Sequence, residues 1–372
     1  MKKFLLIFLL LLSAHYSYAY LNLEADTLEA DTTELIGKTG LFGVPLLYYT
    51  PDTRIAYGAM GVYYFKVKPR SHEEKETRLS FVKLLADYTQ NKQLDIWSSW
   101  NIFTREEKYL FKGDIRYRNF PDRFYGIGNR TTEDMMERYT YNLISIQLMV
   151  MRKLRKGLFA GIDYKYTQEF DFTHAEGGTL IEGTIPGYAG GIGSAVGGII
   201  TFDTRDNVVN AYQGKFFEAS SYFYNEAFGG TFNFININLV YNSYYEIAEN
   251  HVIATNTVAN MNFGEVPFLD MAQVGGDDIL RGYARNRFRD KNFMGTQVEY
   301  RFPVYWRFGM TTFLGVGDVF EKPNDVGLRT LKYSYGFGIR YLANKNERLN
   351  IRFDYGFGRD SNAFYIMITE AF

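Results

Sequence analysis

The chain has 372 residues, with 41 Lys and Arg against 42 Asp and Glu, which gives a formal net charge of −1. That balance excludes the basic excess of a nucleic-acid-binding chain, so no nucleic-acid partner is expected. The absence of cysteine excludes a disulfide framework and thiolate chemistry. Apolar residues still make up 46% of the chain, with 32 Phe and 31 Tyr. After the first 19 residues, no segment is continuously apolar for the length of a spanning helix.

The first 19 residues have the three parts of a secretory signal peptide. Lys2 and Lys3 give a positive start, residues 4–12 form an apolar core, and SYA at 17–19 supplies a small-x-small cleavage site. The apolar run is too short for a spanning helix, which needs roughly 20 residues. We therefore predict that residues 1–19 are a cleaved signal peptide. An uncleaved amphipathic helix is the alternative.

Residues 20–38, YLNLEADTLEADTTELIGK, form an acidic segment in which LEADT occurs twice, at 23–27 and 28–32. Such a segment could fill a cavity as a plug, bind a partner protein as a docking peptide, or remain disordered. Its acidic, repetitive composition favours the disordered tail.

From residue 39 onwards, apolar and polar residues alternate. In IRFDYGFG at 351–358, the aromatic and aliphatic residues occupy one set of alternate positions, and Arg, Asp and Gly occupy the other. Period-two alternation predicts strands with one apolar and one polar face. Because the polar faces carry opposite charges and glycines, we interpret them as the lining of a membrane barrel. Roughly sixteen such segments occur, so we predict an all-β fold for 39–372, a transmembrane antiparallel β-barrel of sixteen strands.

Tight connections, such as 246–249 and 345–347, alternate with long ones at 121–137, 174–190 and 265–291. Short turns on one side and longer loops on the other are typical of outer-membrane barrels. The last long connection contains VGGDDILRGYARNRFRDKNF, with four arginines and three aspartates. So many charges in a membrane barrel need a place away from lipid.

Four segments carry a resemblance to a known family: TFDTRDN at 201–207, LRGY at 280–283, VEYRFPV at 298–304 and RFDYGFGRDSNAFYIMITEAF at 352–372. They resemble the bacterial surface antigen superfamily of barrel-assembly and two-partner-secretion transporters, which are BamA- and TamA-like outer-membrane barrels. The resemblance covers the chain from about residue 40 to its end. It implies that the extracellular loop around LRGY folds back into the barrel.

In that family the loop arginine pairs with acidic residues on the inner wall. The resemblance assigns this role to Arg281, with Gly282 and Tyr283 beside it. The first family carboxylate corresponds to Glu299, which the strand alternation places on the lumen face. Because a buried guanidinium without a carboxylate is strongly destabilising, we predict one principal ion pair between Arg281 and Glu299.

The family's second carboxylate is missing from this sequence. It belongs to a segment of the form F-x-D-x-G, and FLGVGDVF at 313–320 has Gly315 at that position. Asp318 alternates with lipid-facing residues, which makes it a poor substitute. Asp203 and Asp354 have lumen-facing positions and are the candidates for an additional contact with the loop.

The resemblance also implies a location and partners. In similar proteins, a final strand ending in an aromatic residue is bound by the barrel-insertion machinery, and Phe364, Ile366, Ile368 and Phe372 would present that signal on one face. We therefore expect the chain in the outer membrane of a Gram-negative bacterium, in contact with its lipids and, during biogenesis, with that machinery.

Relatives that assemble or export proteins usually carry periplasmic polypeptide-transport-associated (POTRA) domains. Residues 20–38 are too few for one, so the chain resembles a stand-alone barrel subfamily. The expected function is to assist protein or lipid transport or insertion, with a separate periplasmic partner that the acidic periplasmic segment 20–38 would bind. The alternative is a stand-alone gated or passive pore.

An enzyme is not expected. The histidines at 72, 174 and 251 are far apart, and no serine lies in a G-x-S-x-G elbow. The adjacent aspartates at 277 and 278 are more typical of a polar turn than of a calcium site. We therefore predict no catalytic residue, no metal and no cofactor.

Overall fold

The computed structural model describes residues 39–50, 53–67, 77, 79–276, 278–345 and 348–372. The predicted signal peptide at 1–19, the acidic segment at 20–38 and Asp277 lie outside these residues. Within them, sixteen strands form one antiparallel sheet and two short strands form a separate hairpin, which confirms the all-β prediction with sixteen main strands. No described helix is long and apolar enough to cross a membrane.

Each main strand lies beside its neighbour in the sequence, so the sheet is a simple meander. The strands are β1 (Gly40–Thr50), β2 (Arg54–Phe65), β3 (Ser80–Thr89), β4 (Leu94–Phe103), β5 (Tyr109–Phe124), β6 (Glu137–Arg155), β7 (Leu158–His174), β8 (Gly191–Asp203), β9 (Gly214–Tyr224), β10 (Phe234–Ala248), β11 (His251–Gly264), β12 (Ala272–Val274), β13 (Phe288–Asp290), β14 (Asn292–Tyr305), β15 (Phe308–Phe320), β16 (Lys332–Asn344), β17 (Leu349–Gly358) and β18 (Ser361–Ile368). Short 3₁₀ turns lie at Arg105–Glu107, Glu133–Met135, Glu226–Phe228 and Pro323–Asp325.

The first and last strands of the meander form a seam. β1 and β18 approach each other, but over the described residues they are not hydrogen-bonded neighbours in the sheet. Each therefore keeps a main-chain edge that lacks a strand partner, although closed barrels normally pair such edges. β12 and β13 belong to the connection between β11 and β14 and are not hydrogen-bonded to the main sheet.

Strand β14 shows how alternation divides the wall into two faces. Gln297, Glu299 and Arg301 are buried on one face, whereas Met294 and Val298 on the other are 54% and 38% exposed. The strands of an outer-membrane barrel place apolar residues toward lipid and polar residues toward the lumen. The buried polar face of β14 is therefore the lumen wall.

The two ends of the barrel differ in their connections. One end, the loop end, carries the connections 125–136, 175–190, 265–291 and 321–331; the other, the turn end, joins β6 to β7, β10 to β11 and β14 to β15 through two residues each. The long strands β5, β6 and β7, of 16, 19 and 17 residues, rise toward the loop end. A buried cluster lies at that end: Phe120, Phe124, Tyr139, Tyr141, Leu180 and Phe268.

The chain leaves the wall after the last strand. β18 ends at Ile368, and Thr369 turns the backbone with a φ of 72°. In a continued strand, alternation would point Glu370 toward lipid, where a charge is unfavourable. The turn instead buries Glu370 in the lumen, where it accepts a hydrogen bond from Arg340 at 2.8 Å.

The same turn moves Phe372 away from the outer face. Phe364 is 46% exposed on that face, and alternation places Ile366 beside it. Phe372 packs inside against Tyr244, with ring centroids 6.3 Å apart. The expectation that Phe372 shares the outward face is therefore wrong. Recognition of Phe364, Ile366 and Ile368 by insertion machinery stays a prediction.

Candidate functional site in the barrel lumen

The connection 265–291, called here the lumen loop, enters the barrel from the loop end. Its β12–β13 hairpin pairs Ala272 with Asp290 and Val274 with Phe288. Apolar side chains of the hairpin and its tip pack on the wall; the buried cluster consists of Ala272, Val274, Leu280, Tyr283, Phe288, Phe293 and Val319. This packing holds the tip of the loop against the wall.

Arg281 is the centre of the contact between the loop tip and the wall. Its side chain is fully buried, with Nη2 donating to Glu299 Oε1 and Nη1 donating to Asp354 Oδ2 at 2.6 Å. The guanidinium carbon lies 3.6 Å from the ring centroid of Phe313, which covers one face of the group. The structure thus places two carboxylates on Arg281, where the sequence predicted one principal partner. We call Arg281, Glu299 and Asp354 the lock.

The second carboxylate comes from β17 because β15 has no acid at the corresponding place. A Cβ at Gly315 would lie 3.2 Å from Leu280 Cδ2 and 3.2 Å from Gln297 Cβ, so this position faces the apolar part of the loop tip. Asp354 reaches the guanidinium of Arg281 from two strands further along the wall. The missing family acid is therefore replaced within the same wall.

Two other aspartates have different partners. Asp203 ends β8 and pairs with Arg205 at 2.7 Å, so its expected contact with the lumen loop is wrong. An arginine two residues away reaches this carboxylate, whereas the lock lies on β14 and β17. Asp318 accepts hydrogen bonds from Lys332 at 2.9 Å and from Asn129 at 3.3 Å, and so ties β15 and β16 to the connection 125–136.

Four buried arginines and three buried carboxylates form a network around the lock. Glu299 also accepts a hydrogen bond from Arg301 at 2.8 Å. Asp354 accepts from Arg340 at 2.5 Å and from Arg352 at 3.2 Å. Charges buried this deeply are stable only beside opposite charges. The members are Arg281, Arg301, Arg340, Arg352, Glu299, Asp354 and Glu370.

Neither Arg340 nor Glu370 is among the functional residues predicted from the sequence. Alternation along β16 does place Arg340 on the lumen side, opposite Arg352 of β17. Two arginines facing each other on paired strands signal a shared acidic partner, since like charges directly opposite are destabilising. No comparable signal exists for Glu370, because only the turn at Thr369 brings it inside.

Gly282 allows the loop backbone to touch the wall backbone. Its φ is 114°, and a Cβ there would lie 2.7 Å from the main-chain carbon of Phe357. Its N–H donates to Tyr365 Oη at 3.0 Å, and its carbonyl accepts from Ser361 Oγ at 2.6 Å. On the wall, a Cβ at Gly356 would lie 2.7 Å from the carbonyl carbon of Arg281. Two glycines thus bring the loop and the wall into direct contact.

Substitution of Gly282 by alanine should displace the loop tip. Positive φ alone costs a non-glycine residue about 1–2 kcal/mol, and the close main-chain contact adds a steric penalty. Gly229→Ala is a matched control, since Gly229 has a φ of 88° with open space around its Cβ position. We expect Gly282→Ala to become more sensitive to protease at the lumen loop than Gly229→Ala. Equal sensitivity would show that the close contact does not matter.

Tyr283 extends the attachment of the loop tip toward the loop end. Its ring is buried, its hydroxyl donates to the carbonyl of Tyr333 at 3.0 Å, and it accepts from the N–H of Arg359 at 2.8 Å. Gly358 leaves room for the ring, because a Cβ there would lie 2.6 Å from it. The predicted trio of Arg281, Gly282 and Tyr283 therefore contacts strands β14 to β18 and their turns.

The base of the lumen loop is attached to the opposite part of the wall. Arg289 Nη1 donates to the carbonyl of Phe268 at 2.8 Å. The ring of Phe268 packs edge-on against Tyr139 and Phe124, with centroids 5.4 and 5.7 Å apart. Arg287 Nε donates to Glu133 Oε1 at 2.7 Å. The loop therefore spans the lumen between β5–β6 on one side and β14–β18 on the other.

A metal or cofactor finds no evident set of ligands in this part of the molecule. Across the ranges described above, no group of three or more His, Asp and Glu side chains is placed to hold a metal ion. The acidic groups of the lock and its network are already bound to arginines.

Residues 77–372 match the family profile described as the Omp85 superfamily domain. The chain belongs to the Omp85 superfamily. In this Omp85 barrel the matched region contains the lumen loop and the lock, since all of the lock residues lie between 281 and 354, whereas strand β1 of the seam lies outside it. No protein of curated function matches the chain significantly.

Solved structures share the fold of this Omp85 barrel. BamA from Haemophilus ducreyi, in a form lacking POTRA domains 1–3, superposes with a TM-score of 0.60 at 12% identity, over 90% of this chain and 69% of that one. CdiB from Acinetobacter baumannii gives 0.54 at 10% identity, over 89% and 59%. CdiB from Escherichia coli gives 0.54 at 9% identity, over 89% and 61%. The chain thus spans less than two thirds of either CdiB chain.

Proposed function

We propose that this Omp85 barrel lies in the outer membrane of a Gram-negative bacterium and assists the transport or insertion of a protein or lipid there. It acts with a separate periplasmic partner, for which the acidic segment 20–38 is the candidate binding site. The observation that carries the proposal is the position of the locked loop beside the seam. Ser361 and Tyr365, which hold Gly282, lie on β18, the strand that borders the seam.

The geometry gives this arrangement a mechanical role. The lumen loop fixes β14 to β18 to one another through buried ion pairs and close glycine contacts, so this part of the wall moves as a unit. The neighbouring edge of β1 has no hydrogen-bonded partner in β18 over the described residues. A stiff wall beside an unpaired strand edge offers a protein strand or a lipid a place to enter from the membrane.

The packing of the lumen loop across the loop end favours this role over a passive pore. Phe268 and its aromatic neighbours fill the space between the lumen loop and β5–β6. Arg287 and Asn129 tie the connection 125–136 to the lumen loop and to the connection 321–331, respectively.

The proposal is tested in the host by depleting the chain and measuring the proteins and lipids of the outer membrane. We expect a defined set of them to fall, to be restored by the wild type, and to stay low with a form in which the five acidic residues of 20–38 are replaced by their amides. A form with Arg329→Ala, on an exposed loop, is the matched control and should restore the wild-type pattern.

Planar-bilayer recordings on the same proteins separate transport assistance from a pore. The wild type should show no steady conductance, because the lumen loop and its packed contacts narrow the loop end. A variant with Phe268→Ala and Arg289→Gln, which removes the attachment at the base of the loop, should conduct. Steady conductance of the wild type, together with unchanged outer-membrane composition after depletion, would favour the stand-alone pore.

A further inference from the structure

The lumen contains a cavity of about 1360 Å³ between the lumen loop and the wall formed by β4 to β11. Ten Lys or Arg residues and six Asp or Glu residues contribute to its lining. A cavity with low-dielectric walls and an excess of one charge concentrates ligands of the opposite charge. The lining therefore favours an anionic ligand.

An apolar cluster lies on the lumen face at the turn end of this cavity. Five neighbouring strands, β4 to β8, contribute one buried residue each: Phe103, Leu110, Met151, Phe159 and Ile199. We call this cluster the lumen belt. The interior of a membrane barrel is usually polar, and the lumen belt cannot contact lipid from inside the wall. Its presence in the cavity lining favours a ligand with an apolar part.

Basic groups lie next to the lumen belt. Lys112 follows Leu110 by two residues on β5, and Lys153 follows Met151 by two residues on β6, so each lysine shares the lumen face with its apolar neighbour. Lys156, in the turn between β6 and β7, also lines the cavity. On β5 and on β6, a cationic side chain therefore lies two residues from an apolar side chain of the lumen belt.

Arg289 supplies hydrogen-bond donors at the other end of the cavity. Its side chain is 2% exposed and lines the cavity, and Nη1 donates to the carbonyl of Phe268. Its Nε and Nη2 atoms have no hydrogen-bond partner among the described residues. Arg289 already interacts electrostatically with Glu169 and Asp270, and an anionic group beside Nε and Nη2 would satisfy the two donors that remain.

We propose that the cavity binds an amphiphile with a single acyl chain and an anionic phosphate or carboxylate head. The acyl chain lies on the lumen belt. The anionic head lies among the basic groups of the cavity, next to the lysines that flank the belt, Lys112, Lys153 and Lys156. Lys156 and Gly157, in the turn between β6 and β7, belong to the cavity lining beside the lumen belt, which places the acyl chain near the turn end. This binding site goes beyond the proposed function, because it requires neither a partner nor a cargo.

The absence of cysteine allows the site to be probed one position at a time. Met149 lines the cavity and packs against the lumen belt, whereas the adjacent Leu148 is 47% exposed on the outer face. Met149→Cys and Leu148→Cys proteins in neutral detergent are labelled with a small water-soluble thiol reagent. Dodecyl phosphate should slow labelling of Met149→Cys by about tenfold at nine-tenths occupancy, and leave Leu148→Cys unchanged.

The parts of the probe are tested separately. Dodecanol, hexyl phosphate and inorganic phosphate, at the same concentration, should each protect Met149→Cys much less than dodecyl phosphate. Combined Lys153→Gln and Lys156→Gln substitutions should weaken protection by dodecyl phosphate, whereas Lys108→Gln, on an exposed turn, should not. The comparison among probes remains decisive if the double variant fails to fold, because it needs no change in charge.

Several results would overturn the proposal. Equal slowing at both cysteines would show that the probe acts through the micelle, and equal protection by dodecanol would show that the anionic head is irrelevant. If Met149→Cys is protected without added amphiphile and becomes reactive once residues 20–38 are deleted, the acidic segment is the occupant instead. None of these results depends on depletion or conductance, so the proposed function would stand or fall separately.

Discussion

Replacing Arg281 with alanine should lower the stability of the folded barrel by about 3 kcal/mol. Removing one partner of a buried ion pair typically costs about 3–5 kcal/mol, because the remaining charge is left uncompensated. The effect should lie at the low end here, since Arg301 still contacts Glu299 and Arg340 still contacts Asp354. The measurement is the temperature at which the folded band disappears in heat-modifiability gels, together with urea unfolding in detergent.

Arg329→Ala is the control for that experiment, because Arg329 is exposed on the connection 321–331. Exposed ionic side chains contribute little to stability, so its midpoint should match the wild type. The expectation for Arg281 fails if Arg281→Ala and Arg329→Ala unfold at the same temperature and urea concentration. That result would mean that the loop is held by its apolar packing and its base alone.

Asp354→Asn should be more destabilising than Glu299→Gln. Asp354 contacts three arginines, Arg281, Arg340 and Arg352, whereas Glu299 contacts Arg281 and Arg301. Neutralising Asp354 therefore leaves more buried positive charge without a partner. The sequence alone suggested the opposite order, because it identified Glu299 as the principal partner. Urea unfolding of the two variants under identical conditions decides between them.

A double-mutant cycle separates the lock from the rest of the network. Arg281→Ala combined with Asp354→Asn should cost less than the sum of the two single changes, with an interaction energy of about 0.5–3 kcal/mol. The same cycle with Arg281→Ala and Glu299→Gln should give a smaller interaction energy if Glu299 interacts more strongly with Arg301 than with Arg281. Additive effects in the Asp354 cycle would contradict a direct Arg281–Asp354 interaction.

Much of this fold can be predicted from the alternation of apolar and polar residues along the strands. It predicted the sixteen-stranded sheet and placed Glu299 and Asp354 on the lumen side, because successive side chains of any strand point to opposite faces. The LRGY segment predicted that Arg281 belongs to an infolded loop. The sequence also excluded spanning helices after the signal peptide, because no later segment is continuously apolar for that length.

Alternation gives the face of a residue, but neither its height in the barrel nor its neighbours across the lumen. Alternation predicts that Asp203 and Asp354 both face the lumen. Asp203 nevertheless pairs with the nearby Arg205, whereas Asp354 pairs with Arg281, 73 residues away along the chain. That difference follows from the position of the loop tip, which packs on β14 to β18, the part of the wall that includes Asp354 but not Asp203. It also decides that Gly315 faces Leu280 while Asp354 faces the guanidinium.

The end of the chain shows the same division. From the sequence, Phe364 and Phe372 share one face of a regular strand, and Glu370 would lie between them in lipid. The folded protein bends at Thr369, because burial of Glu370 beside Arg340 replaces an unfavourable charge in hydrocarbon with a compensated one. The sequence by itself determined which faces are apolar and which loop enters the lumen. Only the tertiary structure decided which buried charges meet, since that choice depends on where the lumen loop and the end of the chain lie against β14 to β17.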